Sequence, residues 1–481
     1  MRAPNILFIT CDQLRKDTLG CYGDGIVKTP NIDKIARRGV CFDNTFAAYP
    51  VCAPNRASIA TGRYPSVHGL RQNGIALSQN ELTMMEVCRR AGYRTYGVGK
   101  MHLGPQWKFP QDGGPLKDPE PELAVNPQPE PWELPWHGFE SILVTEDNRV
   151  GPYGQYLAEH GYDVWEDPHS FTYPQHITAA SVYPEEHHQT TWIGDRSLDF
   201  LRAHDDAKPF FMWTSFVHPH HPFTPPKPYD TMYDPEDMPL PLWQEGEPDG
   251  WPDHYRTKHF RTEGGHEAIG MHTVTDKEWQ RVRAFYYGMI THIDKQVGRL
   301  LDHLEERGML ENTVIAFTSD HGEMLGDHHL VFKGTSFDQV TNVPMILAGP
   351  GVNVAGEHRE QLGSSIDIMP TLLEAVGLDV PPGVQGKSLL TAAADPTHEL
   401  RDVVLIESAA TRRALRTPDA VLSWHGKGNQ GELYDLSSDP NCFVNLWDDP
   451  NAEPMKQALI DRLVHEMVQN VDPLPQRKAA C

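Results

Sequence analysis

The chain has 481 residues, and its 42 Lys and Arg face 66 Asp and Glu, which gives a formal net charge of -24. Such an acidic chain repels nucleic acid and anionic membrane surfaces, so we expect neither as a partner. Hydrophobic residues make up 39% and charged residues 22% of the chain, the composition of a soluble folded enzyme of more than one structural unit.

The cysteine pattern favours a reducing compartment. The count is odd and includes no Cys-x-x-Cys pair, so no disulfide framework is expected. The seven residues are Cys11, Cys21, Cys41, Cys52, Cys88, Cys442 and Cys481. The first apolar run, residues 5–10, is too short for a signal segment, and no run is long enough to span a membrane. These features predict a cytoplasmic protein.

Apolar runs of strand length alternate with segments of helical period, which predicts an α/β fold. Residues 5–10 form the first predicted strand, and a helix follows from Thr29 as N-cap to Gly39 at C′. Residues 82–91 predict a helix, and 93–98 a strand. The proline-rich segment of about 105–140 predicts an insertion, as a surface loop or, less favoured, a lid.

The clearest predicted helix begins at Thr275, which forms a capping box with Glu278, and it ends at Gly308. Beyond about residue 381 the pattern changes to short strands (403–407 and 420–424) and a final helix (452–471). We therefore predict a catalytic domain over 1–381 and a smaller α+β domain with a small antiparallel sheet over 382–481.

Four apolar runs end in side chains suited to metal or acid–base chemistry. The first three deliver Asp12 with Gln13, Lys100 with His102, and the cluster of His218, His220 and His221; the fourth delivers Asp320 with His321. In open α/β sheets ligands bind beyond the carboxyl ends of the strands, so we expect one shared site at that edge. Lys100 and His102 alternate along a predicted strand, which would point both to one side.

The segment Cys52-Ala53-Pro54-Asn55-Arg56, continued by ASIATGR over 57–63, resembles the signature of the type I sulfatases of the alkaline phosphatase superfamily. The resemblance implies a large mixed sheet sandwiched by helices. It also implies that a formylglycine-generating enzyme oxidises Cys52 to formylglycine, whose hydrate is the nucleophile. If Pro54 starts a helix, Arg56 lies one turn from Cys52 and can hydrogen-bond the hydrated aldehyde.

The resemblance also implies one divalent metal ion, with Asp12, Cys52, Asp320 and His321 as ligands. Two carboxylates and an imidazole meet the need of such an ion for deprotonated or neutral donors. Many members carry a second acid where this chain has Gln13, and Asn where it has His321. The nitrogen donor weakens the case for calcium but does not exclude it. Manganese, zinc and iron are the other ions that these residues could bind. These substitutions resemble the phosphonate monoester hydrolases.

Further family motifs imply the residues that handle the ester. Gly99-Lys100-Met101-His102 resembles the sulfatase motif in which the Lys contacts nucleophile and sulfate and the His is a base, and it favours sulfate over phosphonate. The order of residues 219–223 (PHHPF) points to His220 as a catalytic and substrate-binding residue, and Phe332-Lys333 matches a second sulfate-binding lysine. Gln13 and Asn73 are further substrate-binding candidates, although Asn73-Gly74 equally suits a turn.

The sequence thus predicts a hydrolase that cleaves a sulfate monoester of a small molecule or saccharide. Two alternatives stay open: a phosphonate monoester or phosphodiester hydrolase with the same nucleophile, and a non-catalytic binding protein with unmodified Cys52. A homo-oligomer is compatible with the sequence, which leaves the oligomeric state open.

Overall fold

The structure is a computed structural model that describes residues 3–104, 134–147, 149, 151–163, 178–205, 207–260, 271–409, 411–426, 430–472 and 474. Most of the predicted proline-rich insertion, residues 105–133, lies outside the described residues. None of the helices in these ranges has the length and apolar character that a membrane span requires.

The main sheet has eight strands in the order β4-β3-β5-β1-β6-β7-β2-β8. The strands are β1 Asn5–Cys11, β2 Gly39–Phe46, β3 Arg94–Gly99, β4 Ser141–Val144, β5 Phe210–Phe216, β6 Thr313–Ser319, β7 Met345–Ala348 and β8 Glu357–Ser364. Only β7 runs antiparallel to its neighbours, β6 and β2. The sheet is therefore mixed, as predicted.

Helices cover both faces of this sheet. The helices in this part of the chain are α1 Pro30–Arg37, α2 Cys52–Thr61, α3 Pro65–His68, α4 Met84–Arg90, α5 Pro152–Glu159, α6 Gln189–Ala203, α7 Asp253–Phe260, α8 Asp276–Glu306, α9 Asp338–Thr341, α10 Ile368–Ala375 and α11 Leu390–Ala394. Alternate residues of β1 enter different cores: Leu7 and Ile9 pack in the core that α1, α6 and α8 share. Ile6 and Phe8 pack in the core formed with α2, α4 and α10. Strand β1 is therefore buried on both faces, which explains its continuous apolar sequence.

A second, antiparallel sheet of four strands follows in the order β12-β11-β10-β9. Its strands are β9 Val404–Ser408, β10 Arg412–Arg416, β11 Ala420–His425 and β12 Gln430–Asp435, and the helix α12, Glu453–Gln469, follows them. Leu463 of α12 shares a core with this sheet, and Ala48, Tyr64 and Ile366 from the larger part of the chain belong to the same core. The small sheet is therefore packed onto the segments that flank α2.

The local predictions were confirmed at most elements, and one strand was missed. The capping box of Thr275 and Glu278 begins α8, as expected. Gly39 follows Arg38, the C-cap of α1, as predicted, but it is also the first residue of β2, a strand that the sequence pattern did not reveal. A Cβ at Gly39 would lie 2.0 Å from the Leu347 carbonyl oxygen. The glycine thus permits close approach of two strands instead of a left-handed helix end.

Candidate active site

Cys52 is the first residue of α2, a helix whose residues are all buried. The helix therefore begins two residues earlier than the predicted start at Pro54. The Asn73 side chain accepts a hydrogen bond from the backbone N–H of Ala53 at 3.1 Å and so caps the first turn. Because α2 starts at Cys52, Arg56 lies one helical turn further along, as the sequence reading required.

The four predicted metal ligands converge. Donor atoms of Asp12, Cys52, Asp320 and His321 all lie within 4.8 Å of one another, and all four residues are buried. The Cys52 sulfur is 3.2 Å from His321 Nε2 and 3.7 Å from Asp12 Oδ1. These separations suit donors arranged around one ion, since metal–ligand distances are about 2.0–2.3 Å.

The orientation of His321 also fits a metal ligand. Its Nδ1 donates to the Gly322 carbonyl oxygen at 2.9 Å, which leaves the Nε2 lone pair facing the carboxylates. A hydrogen bond on the other ring nitrogen is the usual device that fixes the tautomer of a metal-binding histidine. The residues present therefore fit one divalent ion.

Arg56 bridges the two carboxylates behind these ligands. Its Nε donates to Asp320 Oδ2 at 2.7 Å, and a terminal nitrogen lies 3.3 Å from Asp12 Oδ2. The other terminal nitrogen donates to the Lys100 carbonyl at 2.5 Å and to Ser215 Oγ at 2.8 Å. Arg56 thus holds the carboxylates in place, while its predicted hydrogen bond to a modified Cys52 stays a prediction.

Lys100 and His102 lie beyond β3, which ends at Gly99, so the argument from alternation along a strand was wrong. Lys100 is nevertheless fully buried, and its Nζ lies 2.7 Å from Asp12 Oδ2. His102 adopts a φ of 50°, and its backbone N–H donates to Glu146 at 3.1 Å. Its Nδ1 lies 4.0 Å from Glu146 Oε2.

Lys333 reaches the site from the loop after β6. Its Nζ lies 2.8 Å from the Cys52 sulfur and 3.1 Å from Gln13 Oε1. The Gln13 amide nitrogen donates to Glu323 and lies 2.9 Å from His221 Nδ1. Gln13 therefore links Lys333 to Glu323, and its predicted contact with substrate stays a prediction.

The three histidines after β5 take different positions. His218 Nδ1 lies 2.9 Å from Thr190 Oγ1, away from Cys52. His220 Nδ1 donates to the His221 carbonyl at 2.6 Å, and its Nε2 is 3.7 Å from Asp147 Oδ2. His221 stacks on His220 with ring centroids 4.0 Å apart. Of the three, His220 is the one whose ring nitrogen faces the residues around Lys100.

The charges of the site shift the pKa values of its members. Burial by itself raises the pKa of the Asp12 carboxyl, but Lys100 and its other basic neighbours hold it well below its ordinary value. Burial, reinforced by Lys333 and Lys100, lowers the pKa of His220 well below its ordinary value. His102 also has a lowered pKa because of burial, although Glu146 opposes the shift. Both imidazoles are therefore neutral near pH 7.

Sequence reasoning missed three acidic residues here. Glu146 and Asp147 follow the short strand β4, whose four residues gave little signal beside the proline-rich insertion. Glu323 lies two residues after His321, and its position after a predicted strand gave it no role of its own. It accepts N–H groups from Leu325, at 3.2 Å, and Phe332, and burial raises its pKa to about 7.

A nucleophile candidate at a helix start, a cluster of metal ligands and two lysines at the edge of a mixed sheet define an enzyme of the alkaline phosphatase superfamily. The model of the family described as "Sulfatase" matches residues 4–378, and that of "N-sulphoglucosamine sulphohydrolase, C-terminal" matches 326–469. The chain belongs to the sulfatase family.

Individual relatives cover nearly the whole chain. An arylsulfatase of Clostridium perfringens is 33% identical, over 95% of this chain and 92% of its own length. The multifunctional alkaline phosphatase superfamily protein PehA of Trinickia caryophylli is 33% identical, over 97% and 96%. The structure of a phosphonate monoester hydrolase of Agrobacterium radiobacter superposes with a TM-score of 0.83 at 27% identity, over 98% and 97%.

Proposed function

We propose that the protein hydrolyses sulfate monoesters of small molecules or saccharides, with a formylglycine made from Cys52 as nucleophile. The observation that carries the proposal is the position of Cys52. It opens a buried helix, and its sulfur lies within 4 Å of Asp12, His321 and the Lys333 amine. A residue so placed can bind a metal ion and attack an anion at the same time.

A divalent ion held by Asp12, Asp320, His321 and residue 52 would supply Lewis-acid activation of the nucleophilic hydroxyl and neutralise charge on the ester. Its identity is open among calcium, manganese, zinc and iron. One imidazole and two carboxylates favour manganese or zinc, because calcium prefers an all-oxygen set.

The first chemical step would use the two lysines and His220. One hydroxyl of the hydrated formylglycine loses its proton to solvent, and its oxygen attacks sulfur while the bond from sulfur to the leaving oxygen breaks. Lys100 and Lys333 hold the sulfuryl oxygens as negative charge moves to the leaving group. His220 Nε2 gives a proton to the leaving alcohol. Burial is the largest cause of the low pKa of His220, and the two lysines add to it. An anionic ester between the lysines would oppose both effects, so the pKa of His220 would rise when substrate binds.

The second step would regenerate the aldehyde. His102, whose pKa is lowered, takes the proton of the remaining hydroxyl. The bond between the formylglycine carbon and the sulfate oxygen breaks, and the oxygen that stays on this carbon becomes the carbonyl. Inorganic sulfate leaves. A serine at this position has no second hydroxyl, so its sulfate ester would lack this route.

Phosphonate monoester hydrolysis with the same nucleophile is a second candidate. It is favoured by the superposition with the Agrobacterium radiobacter enzyme and by the pair of Gln13 and His321 at the metal site. Lys100, whose amine lies against Asp12, favours sulfate instead. Because the chain belongs to the sulfatase family, we do not retain the hypothesis of a non-catalytic binding protein.

The test combines the mass of the peptide around Cys52 with the activity of variants on an aryl sulfate. In protein produced together with a formylglycine-generating enzyme, the peptide that contains Cys52 should have the mass of formylglycine and not of cysteine. Cys52→Ala should fold normally and lose at least about 1000-fold in kcat/KM on an aryl sulfate. Cys88→Ala, a change at a buried thiol on α4, is the control and should stay active.

Two outcomes would contradict the proposal. An unmodified Cys52 in active protein would exclude the formylglycine route. A kcat/KM for phenyl phosphonate esters well above that for aryl sulfates would assign the second candidate function instead.

A further inference from the structure

A carboxylate that the sequence analysis did not single out, Asp147, lies between two of the proposed catalytic residues. One of its oxygens forms an ion pair with the Lys100 amine, and the other lies 3.7 Å from His220 Nε2. Lys100 is thereby held between Asp147 and Asp12. The amine can still donate to a substrate oxygen, but most of its positive charge is already offset.

Asp147 differs from the other acids of the site in its exposure. Its side chain is 34% exposed, whereas those of Asp12 and Asp320 are fully buried. Glu146 is held back against His102, and Glu323 against Gln13, and burial raises the pKa of both. Among the described residues near Cys52, Asp147 is thus the carboxylate that a bound ester would meet.

Asp147 lowers the excess of positive charge around Cys52. Three cations, Arg56, Lys100 and Lys333, together with one divalent ion would carry five positive charges against the three negative charges of the carboxylates, and the only partly exposed one of these three is Asp147. Burial raises the pKa of Asp147, but Lys100 and Lys333 together hold it below its ordinary value, so this carboxylate is ionised. A second negative charge on the substrate, placed about 5 Å from Asp147 at an effective dielectric constant of about 20, would be disfavoured by roughly 300-fold.

We propose that Asp147 is a specificity-determining residue that selects singly charged esters, such as sulfate monoesters, over doubly charged phosphate monoesters. The inference rests on the proposed function only in placing the ester between Lys100 and Lys333. Asp147 acts by its charge: it repels the additional negative charge of a phosphate monoester and tolerates a monoanion.

The first test uses the unaltered enzyme. Phenyl phosphate carries two charges above its second pKa of about 6, and its methyl ester carries one. At mildly alkaline pH the methyl ester should inhibit aryl sulfate hydrolysis more strongly than phenyl phosphate does, with an inhibition constant at least about tenfold lower. Stronger inhibition by the dianion would overturn the proposal.

The second test uses Asp147→Asn, which keeps the shape and removes the charge. With p-nitrophenol as the common leaving group, kcat/KM would be measured for the sulfate, the phosphate monoester and a phosphonate monoester. The ratio of phosphate to sulfate should rise about tenfold or more. The ratio of phosphonate to sulfate, both singly charged, should stay within about twofold. Asp147→Glu is the matched control and should keep the selectivity of the unaltered enzyme.

Comparing the three substrates shows whether Asp147 selects esters by charge or only supports its neighbours. An equal loss on all three substrates would mean that Asp147 only supports Lys100 and His220, and would overturn the proposal. A preference of the unaltered enzyme for phosphonate over sulfate would overturn the proposed function alone, because both esters are monoanions. Melting temperature and metal content of each variant verify that the site is intact.

Discussion

At the scale of single residues, Arg56 joins the parts of the site that come from different strands. Asp12 follows β1, Lys100 follows β3, and Asp320 follows β6; the guanidinium group contacts all three residues. The guanidinium group is fully buried. Burial lowers the pKa of Arg56, but the negative charges of Asp320 and Asp12 outweigh this effect, so Arg56 keeps its charge. Removing one partner of a buried ion pair leaves the other charge without compensation.

Arg56→Lys should therefore damage both stability and activity. A lysine carries one ammonium group and cannot reproduce the planar set of donors that reaches Asp320, Asp12 and Ser215. We expect the free energy of unfolding to fall by about 3 kcal/mol and kcat/KM to fall by at least about 100-fold. Chemical denaturation and aryl sulfate assays measure the two effects.

Arg63→Lys is the matched control, because Arg63 follows the same helix. Its ion pairs with Glu81, at 2.7 Å, and Asp472, at 2.5 Å, lie away from Cys52. This variant should lose some stability and keep its activity. Full activity of Arg56→Lys would show that Arg56 does not hold the metal ligands.

At the scale of secondary structure, α8 fixes the start of α1 through one buried carboxylate. Asp294 of α8 accepts backbone N–H groups of Asn31 at 3.0 Å and Ile32 at 2.8 Å. These donors belong to the first turn of α1, whose N-cap Thr29 makes no capping hydrogen bond with its side chain. The cap for α1 is thus supplied from more than 260 residues away along the chain.

Burial raises the pKa of Asp294 from 3.8 to about 6, in spite of these hydrogen bonds. The unfolded chain releases this proton near pH 3.8, and the folded chain keeps it until about pH 6. Since the folded state binds more protons in between, its stability falls as pH rises through this window. Asp294→Asn removes this dependence, so the unaltered protein should lose about 2 kcal/mol relative to the variant between pH 4 and pH 7.

Urea denaturation of both proteins across that range is the measurement. Asp302→Asn, at an exposed position of the same helix, is the control and should follow the unaltered protein. A constant difference between the unaltered protein and Asp294→Asn at all pH values would contradict the assignment.

At the scale of the whole molecule, the small sheet supports the site from outside. Glu407 of β9 accepts the N–H of Ser66 at 2.8 Å, close to the end of α2. Arg412 of β10 donates to the carbonyl of Gly334 at 3.1 Å, next to Lys333. Together with the shared core around Tyr64, these contacts connect the C-terminal part to the end of α2 and to the loop that carries Lys333.

A chain that ends at residue 381 should therefore not be an active enzyme, although the sequence pattern predicts a domain boundary there. It would expose the apolar surface of Ala48, Tyr64 and Ile366 and leave the Lys333 loop without Arg412. We expect aggregation or at least about a 100-fold loss of kcat/KM. Solubility, thermal unfolding and aryl sulfate turnover test this.

A chain that lacks only residues 475–481 is the control and should keep its activity. A soluble and active chain of residues 1–381 would show that the catalytic part folds and works without the small sheet.

Much of the site could be predicted because its residues follow strands. Asp12 and Asp320 come after apolar runs, and parallel strands deliver their ends to one edge of a sheet. Strand β2 was harder, because Gly39 comes directly after the end of α1, and only the nearby Leu347 carbonyl shows that the same glycine opens a strand. The roles of Asn73 and Asp294 depend on partners distant in sequence, so no local pattern could reveal them.

The sequence by itself determined the α/β class, the metal-binding residue types and the resemblance around Cys52. These properties depend on local periodicity and on short motifs, which the order of residues carries directly. The tertiary structure alone decided which groups meet: Lys333 with Cys52, Gln13 with Glu323, and Asp147 with Lys100. Electrostatic balance depends on distances between segments far apart in the chain, and only the packing of the sheet and its loops sets those distances.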